Sequence, residues 1–274
     1  MHIMARTLCM AAGLAMLAAA GSANAVESAN EPWPSLAASL FKDRPLLDGT
    51  GVIAIEMPAR AEDAAIVPMT LRRTLAASDG RTVKAITVVI DENPSPVAAV
   101  FSFGDKANVS ALSTRVRVNS YTDVHAVAEL SDGHLYVVKT YVKASGGCSA
   151  PAAKNPDEAK AHIGQMRYRQ FAQPGSGATN GMRDAQVMIG HPNNSGLQMD
   201  QVTQLYIPAF FIDRLTLTQD GSLVLSVEGG ISISEDPNIR FTYVSNGAKQ
   251  FRAEARDTQG HVFEHDWPVE GSGT

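Results

Sequence analysis

The feature that most restricts the fold is a two-residue alternation of apolar and polar side chains near the middle of the chain. Residues 112–118 alternate in this way, and residues 124–130 repeat the pattern. A period of two sends successive side chains to opposite faces of a β-strand, so each segment has one face for a core. Ser131-Asp132-Gly133-His134 follows and has the composition of a hairpin turn. The pattern predicts antiparallel β-structure.

Further segments with strand character surround this pair, and turn residues separate them. Val83–Ile90 is almost continuously apolar, as in a strand covered on both faces. Pro68 favours an edge position for its strand, because proline has no amide hydrogen to give to a neighbouring strand. About seven short strands at this spacing predict an immunoglobulin-like antiparallel sandwich. The strands predicted in this half are Gly51–Met57, Ile66–Arg73, Val83–Ile90, Val97–Phe103, 112–118, 124–130 and Leu135–Lys143.

Strand character returns after residue 184 and predicts a second, smaller sandwich. The strands predicted there are Ala185–Ile189, Phe211–Thr218, Leu223–Val227, Ile239–Val244, Gln250–Arg256 and His261–Pro268. Between the two halves, Asn155 and Pro156 have the composition of a helix start. A partial apolar stripe then predicts a helix over 156–171.

The predicted fold class is therefore all-β. We expect two immunoglobulin-like antiparallel β-sandwich domains joined by a flexible Gly-Gly-Cys arm and a short helix. In order, the predicted segments are a signal peptide at 1–25, an N-terminal leader at 26–50 with a short helix around 35–42, a sandwich at 51–147, the cysteine arm and linker helix at 148–183, and a second sandwich at 184–270.

The first 25 residues have the features of a secretory signal. Arg6 precedes an apolar run from Leu8 to Ala20, and Ala23-Asn24-Ala25 has the A-x-A form of a cleavage site. The run is too short to cross a membrane, which disfavours an uncleaved anchor. We therefore expect a soluble, periplasmic protein. Loss of Arg6 leaves 22 of the 23 basic residues against 28 acidic ones, a net charge of −6 that argues against nucleic acid and anionic membranes as partners.

Cys148 is the cysteine that would remain after cleavage, because Cys9 lies within the predicted signal. Gly146, Gly147 and Ser149 flank it, and glycines make a thin arm with wide backbone freedom. A thiolate is a strong nucleophile that forms reversible sulfur adducts. We therefore predict that Cys148 carries a covalently bound group on a mobile arm. An incidental free thiol and an intermolecular disulfide are the alternatives.

The sequence indicates no other catalytic or cofactor site. No activating base lies beside Cys148, whose nearest cations along the chain are Lys143 and Lys154. The histidines do not have metal-ligand spacing, so we expect no metal and no cofactor. Arg115 and Arg117 fall on the polar face of a predicted strand. A solvated surface and contact with an anionic passenger both remain open for this pair.

Several segments resemble known sulfur-carrier proteins. The first half resembles the SoxY domain in Asn93–Ala99, Ser113–Arg117, Ala126–Gly133 and Gly146–Cys148. The second half resembles SoxZ, the partner subunit of SoxY, in Ile189–Pro192, Ile207–Ile212 and Ser234–Phe241. Two proteins that normally form a heterodimer thus resemble the two halves of this chain. The fused arrangement is similar to the SoxYZ-like carriers associated with quinoprotein dehydrogenases.

The resemblance implies immunoglobulin-like domains and a carrier role for Cys148, with intermediates of thiosulfate oxidation bound to it covalently. It also implies that the chain is not an enzyme. Partners would perform the chemistry: a c-type cytochrome complex, a sulfohydrolase or a quinoprotein dehydrogenase. In SoxY the cysteine ends the chain between glycines, whereas Ser149-Ala150-Pro151 follows it here and the arm is held at both ends. A non-covalent accessory protein that docks a quinoprotein dehydrogenase or cytochrome is the alternative.

Overall fold

A computed structural model describes residues 32–76, 78–151, 156–171 and 181–269. The predicted signal peptide and the Asn155 helix cap lie outside these residues. Two helices and fifteen strands occur in the described part of the chain. They are α1 (Trp33–Phe41), β1 (Leu46–Asp48), β2 (Ile53–Glu56), β3 (Val67–Arg73), β4 (Val83–Ile90), β5 (Val97–Phe103), β6 (Ala111–Val116), β7 (Thr122–Leu130), β8 (Leu135–Val142), α2 (Pro156–Ala161), β9 (Met166–Phe171), β10 (Met182–Ile189), β11 (Ile212–Gln219), β12 (Ser222–Gly229), β13 (Asn238–Val244), β14 (Gln250–Asp257) and β15 (Val262–Pro268).

The all-β prediction is confirmed, and each predicted strand is present with its ends within three residues of the expected positions. The strands form two sheets. One has nine strands in the order β1-β8-β7-β4-β5-β12-β11-β14-β15, and the other has six in the order β2-β3-β6-β13-β10-β9. Neighbouring strands are antiparallel except for β1, which pairs parallel with β8.

Both sheets run through both halves of the chain. In the nine-stranded sheet β5 of the first half pairs with β12 of the second, from Ala99↔Gly229 to Phe103↔Leu225. In the six-stranded sheet β6 pairs with β13 through Leu112↔Phe241. The buried apolar side chains of the two halves form one continuous core. The described residues from Pro32 onward make one compact unit, while the domain division at 51–147 and 184–270 remains a prediction.

The predicted helix over 156–171 is wrong in its second part. The helix ends at Ala161, and Met166–Phe171 forms the edge strand β9 beside β10. Gly164, at φ 76°, separates the two elements in a conformation that suits glycine. The side chain of Tyr168 stacks on Phe251 with ring centroids 4.6 Å apart, which fixes the inward face of the strand. A short amphipathic segment fits both periods, and burial against the second half selects the strand.

Pro68 does not mark an edge strand. Strand β3 lies between β2 and β6, but its pairing with β2 ends at Thr70↔Glu56. At Pro68 only β6 is adjacent, through Arg115. The missing amide hydrogen therefore falls where one neighbour is absent, which is the condition that an edge position would also satisfy.

The shared sheets predict that the two halves unfold together. Leu217 is fully buried in the second half, and its replacement by alanine should cost about 2–5 kcal/mol of unfolding free energy. Trp33 stacks on His125 in the first half, at a centroid distance of 3.6 Å, and reports on that half. We expect Leu217→Ala to lower the urea midpoint that Trp33 fluorescence reports, because a cooperative unit unfolds in one transition.

The chain has two tryptophans, so Trp267→Phe leaves Trp33 as the single tryptophan, excited selectively at 295 nm or above, in both the parent and the Leu217→Ala protein. Far-ultraviolet circular dichroism gives the global transition for comparison. An unchanged Trp33 midpoint, with a shifted dichroism midpoint, would mean that the halves unfold independently.

Candidate functional site around Cys148

Cys148 follows strand β8 and is fully buried in the structure. Its approach is fixed by two backbone hydrogen bonds: the Gly146 amide donates to the Asn119 carbonyl at 2.8 Å, and the Gly147 amide donates to the Val118 carbonyl at 3.1 Å. Gly146 has φ 76°, a left-handed conformation that turns the chain inward. The predicted arm, whose resting position the sequence left open, is seated in the structure, because its backbone is hydrogen-bonded to residues 118–119.

Gly147 is required by space in this state. A Cβ atom at this position would lie 2.0 Å from the Ala64 carbonyl oxygen and 2.6 Å from that of Val118. Backbone atoms on both sides therefore come closer than any side chain permits. The close fit of the seated arm therefore requires glycine at this position, a requirement that the sequence-based prediction of a flexible residue did not include.

A segment of the second half covers the seated cysteine. The hydroxyl of Ser195 donates a short hydrogen bond to the Cys148 carbonyl. The Gln198 side-chain amide donates to the Ala150 carbonyl at 3.0 Å. The Gln198 amide oxygen also accepts from the Ser195 backbone at 3.0 Å, so the two side chains hold each other in place. The hydrogen bonds from Ser195 and Gln198 to the arm are therefore accepted by backbone carbonyls and do not involve the Cys148 thiol.

Asn193 anchors this covering segment, residues 191–198 and hereafter the cover, to the second half. It is fully buried and has a φ of 41°, a conformation that asparagine tolerates better than most residues. Its side-chain amide donates to the Ile233 carbonyl at 3.3 Å and accepts from the Ile212 amide at 3.1 Å. Its backbone amide donates to Nδ1 of His191 at 3.1 Å. Burial lowers the pKa of His191, which keeps the ring neutral and able to accept this bond.

Asn93 fixes the wall on the opposite side. Its side-chain amide donates to the Arg117 carbonyl and to the Ser232 hydroxyl, both at 2.8 Å. Its side-chain oxygen accepts from the Asn119 amide at 2.8 Å. Segments that are far apart in sequence, including the Asn93–Ala99 and Ile189–Pro192 motifs, therefore meet around the cysteine. Their side chains hold backbone in place, which is why the sequence pattern alone did not mark them as site residues.

Arg117 is a buried cation in this site. Its side chain is 1% exposed and donates to the Gly147 carbonyl and to the Asn193 carbonyl, each at 3.3 Å. The solvated-surface interpretation is thus wrong for Arg117, because β6 ends at Val116 and the alternation ends with it. Arg115, half-buried, donates to the carbonyls of Glu235 and Asp236.

Burial controls the charge state of the thiol. It raises the pKa of Cys148 to about 11, and the charge of Arg117 opposes this rise. At neutral pH the seated cysteine is therefore a protonated, sheltered thiol. Of the two lysines nearest in sequence, Lys143 is exposed, and Lys154 lies outside the described residues. Seating and chemical reactivity are thus mutually exclusive for this cysteine.

The other titratable side chains among the described residues do not converge on a metal site. His125 is buried, and its Nδ1 atom lies 3.0 Å from a carboxylate oxygen of Asp91. This pair is distant in sequence from His191. Within the residues that the structure describes, no group of three or more His, Cys, Asp or Glu side chains could hold a metal ion. Neither helix in the described segments is long and apolar enough to span a membrane.

Removal of the Ser195 hydroxyl should loosen the seat. Ser195→Ala loses the hydrogen bond to the Cys148 carbonyl, whose net contribution is about 1 kcal/mol. We therefore expect Cys148 to react with iodoacetamide about fivefold faster at pH 8. Ser222→Ala, at the remote start of β12, is the matched control and should leave the rate unchanged. Equal rates in all three proteins would show that this bond does not hold the arm.

The raised thiol pKa predicts that alkali weakens the seated state. The buried thiol stabilises the fold fully below its unfolded-state pKa, near 9, and this contribution is lost as the pH rises toward about 11. The urea midpoint of the wild-type protein should thus fall, relative to that of Cys148→Ser, between pH 9 and pH 11. A constant difference across this range would contradict burial of the thiol.

Family comparisons divide the chain at the same place as the cysteine site. Residues 37–148 match the model of SoxY, described as sulfur oxidation protein SoxY, and residues 172–268 match that of SoxZ, described as sulphur oxidation protein SoxZ. The SoxY match ends on Cys148 itself. The side chains that cover the cysteine, those of Ser195 and Gln198, come from the SoxZ match.

Solved structures give further, partial similarities. The sulfur carrier protein SoxY from Chlorobium limicola f thiosulfatophilum is 25% identical over 41% of this chain and 94% of that chain, with a TM-score of 0.34. Two variant superoxide reductases (neelaredoxins) from Ignicoccus hospitalis are each 11% identical, with TM-scores of 0.30. They cover 35% and 40% of this chain, and 81% and 90% of their own. No curated protein matches the sequence. With its SoxY domain followed by a SoxZ domain in one polypeptide, the chain belongs to the fused SoxYZ-like carriers.

Proposed function

We propose that the protein carries a sulfur intermediate covalently on Cys148 and presents it to partner enzymes. The observation that supports this most is the seat itself. A cysteine that follows two glycines and precedes a serine is buried under side chains that hydrogen-bond to the backbone of the arm. An incidental core cysteine needs no such carbonyl hydrogen bonds, whereas a thiol that must be protected and then released does.

The loading step can be written with one electron acceptor. The Cys148 sulfur joins the terminal sulfur of thiosulfate in a new S–S bond; the thiol loses its proton, and two electrons pass to a haem protein. A sulfohydrolase then adds water to the terminal sulfonate, which leaves as sulfate while a persulfide stays on Cys148. The chain supplies the attachment atom, and its partners supply the redox and hydrolytic groups.

Release of the arm is part of this function. The seated thiol has a pKa raised to about 11, so it reacts only after the cover of residues 191–198 separates from it. Gly146 and Gly147 then allow the exposed loop to enter the pocket of a partner. Because the chain continues beyond Ala150, the loop remains attached at both ends. By the predicted signal at 1–25, the exchange takes place in the periplasm.

The carried group can be identified by mass. We expect protein purified from its native periplasm to show an adduct of whole sulfur atoms or a sulfur oxyanion, removable by mild thiol reduction and mapped to the peptide that contains Cys148. Intact mass spectrometry before and after reduction measures it. Cys148→Ser is the control and should show no adduct while retaining the wild-type fold by circular dichroism. An unmodified thiol under all growth conditions would argue against the carrier.

A second function, non-covalent docking of a quinoprotein dehydrogenase or c-type cytochrome, has one observation in its favour. The loop after Gln198 exposes large apolar side chains, with Val202 92% exposed and Leu205 and Tyr206 more than half exposed. Such residues on a turn fixed by Asp200 suit contact with another protein. The two functions differ at Cys148: loss of pathway activity in Cys148→Ser supports the carrier, and full activity supports the docking protein.

A further inference from the structure

We propose that Arg117 is the positioning residue of the carrier site, whose guanidinium holds negative charge on the Cys148 sulfur once the cover of residues 191–198 has separated and water has entered. This inference rests on Cys148 being the carrier atom of the proposed function. It assigns to the chain itself a group that stabilises the anionic thiolate, which the sequence around the cysteine does not provide.

The first support is the placement of the guanidinium. It donates from one nitrogen to the carbonyl of Gly147, the residue directly before the cysteine, and from another to the carbonyl of Asn193 in the cover. Arg117 thus contacts the arm and the cover at once. The Asn93 side chain and the Ser232 carbonyl hold its backbone, so the cation stays in place when either neighbour moves.

The second support is an incomplete set of partners. The Nε atom of Arg117 is buried and has no hydrogen-bond partner among the described residues. The hydrogen bonds of this buried guanidinium are two carbonyl contacts at 3.3 Å, and a nearby anion would offset the cost of its lost hydration. Negative charge on the adjacent sulfur would balance it.

The charges around the pair agree with this assignment. Glu235 and Asp63 are the acidic groups whose fields reach Arg117, and the remaining partner is the Cys148 sulfur. Arg117 is the charged group whose field reaches Cys148, where it lowers the thiol pKa against the effect of burial. A cation that remains while water enters would therefore leave the thiol more acidic than an ordinary exposed cysteine.

The test compares two alkylating agents of similar size and different charge, both of which react with the thiolate. Iodoacetate is an anion and iodoacetamide is neutral; with either, the Cys148 sulfur forms a C–S bond and iodide leaves. Access to the thiol and the fraction of thiolate affect both rates equally. The ratio of the two rates therefore measures the electrostatic potential at the sulfur. We expect Arg117→Gln to lower the iodoacetate-to-iodoacetamide ratio about tenfold, because a positive potential large enough to shift a neighbouring pKa by about one unit attracts an anionic reagent by the same factor.

Two controls separate charge from structure. Arg117→Lys keeps the cation and should keep most of the ratio. Arg214→Gln removes an exposed cation that pairs with Glu228 at 3.0 Å, and it should leave the ratio at the wild-type value. The same ratio in Arg117→Gln, Arg214→Gln and wild type would overturn the proposal.

If Arg117→Gln fails to fold, the wild-type protein still decides the matter. Its ratio in the native state should exceed its ratio in urea, where Arg117 no longer lies beside the thiol, and equal ratios would overturn the proposal. These measurements use reduced protein without any sulfur cargo. Their failure is thus distinct from failure of the carrier function, which the native adduct mass tests.

Discussion

Pairing between the two halves of the chain is the constraint on which the rest of the structure depends. Hydrogen bonds between β5 and β12, and between β6 and β13, turn two sets of strands into two continuous sheets. This pairing sets the carbonyls of Ala64 and Val118 against a cover that comes from the second half. Without it the cysteine arm would have one wall and no cover. The SoxZ domain thus completes the site that the SoxY domain carries.

The fusion of the two domains changes what the arm must do. A cysteine at a chain end can leave its seat by moving one tether, whereas Cys148 is followed by residues that connect to the second domain. Release therefore requires the loop on both sides of the cysteine to detach. The seat uses backbone contacts with the Ser195 and Gln198 side chains, and such bonds exchange readily for water because each contributes about 1 kcal/mol.

Burial has opposite effects on the two ionisable groups of the site. It raises the pKa of the Cys148 thiol and lowers that of the Arg117 guanidinium, because both charged forms lose hydration. Each group relieves the cost of the other when the sulfur is negative. A site of this kind protects a neutral thiol and accommodates an anion. This dual character matches the needs of a carrier that alternates between sheltered and reactive states.

The sequence by itself determined the strands and the nucleophilic chemistry that is available at Cys148. A period of two along residues 112–118 and 124–130, with turn residues between strands, is a local property that fixes which faces are buried. Cys148, beside two glycines, is likewise a local feature, and on it the carrier site was predicted. The resemblance in ordered motifs indicated the two domains, which the family comparisons confirmed.

Tertiary structure decided what local patterns could not. Residues 166–171 fit a helix and a strand equally well, and packing of Tyr168 on Phe251 selected the strand. Arg117 occupies a polar position in the two-residue alternation of its segment. It nevertheless lies past the end of the strand, where the second domain buries it. Gly147 reads as a flexible residue, although a carbonyl 2.0 Å from its missing Cβ makes it a close-fitting one. Each outcome depends on a surface contributed from far along the chain, and such long-range contacts leave no periodic signal in the sequence.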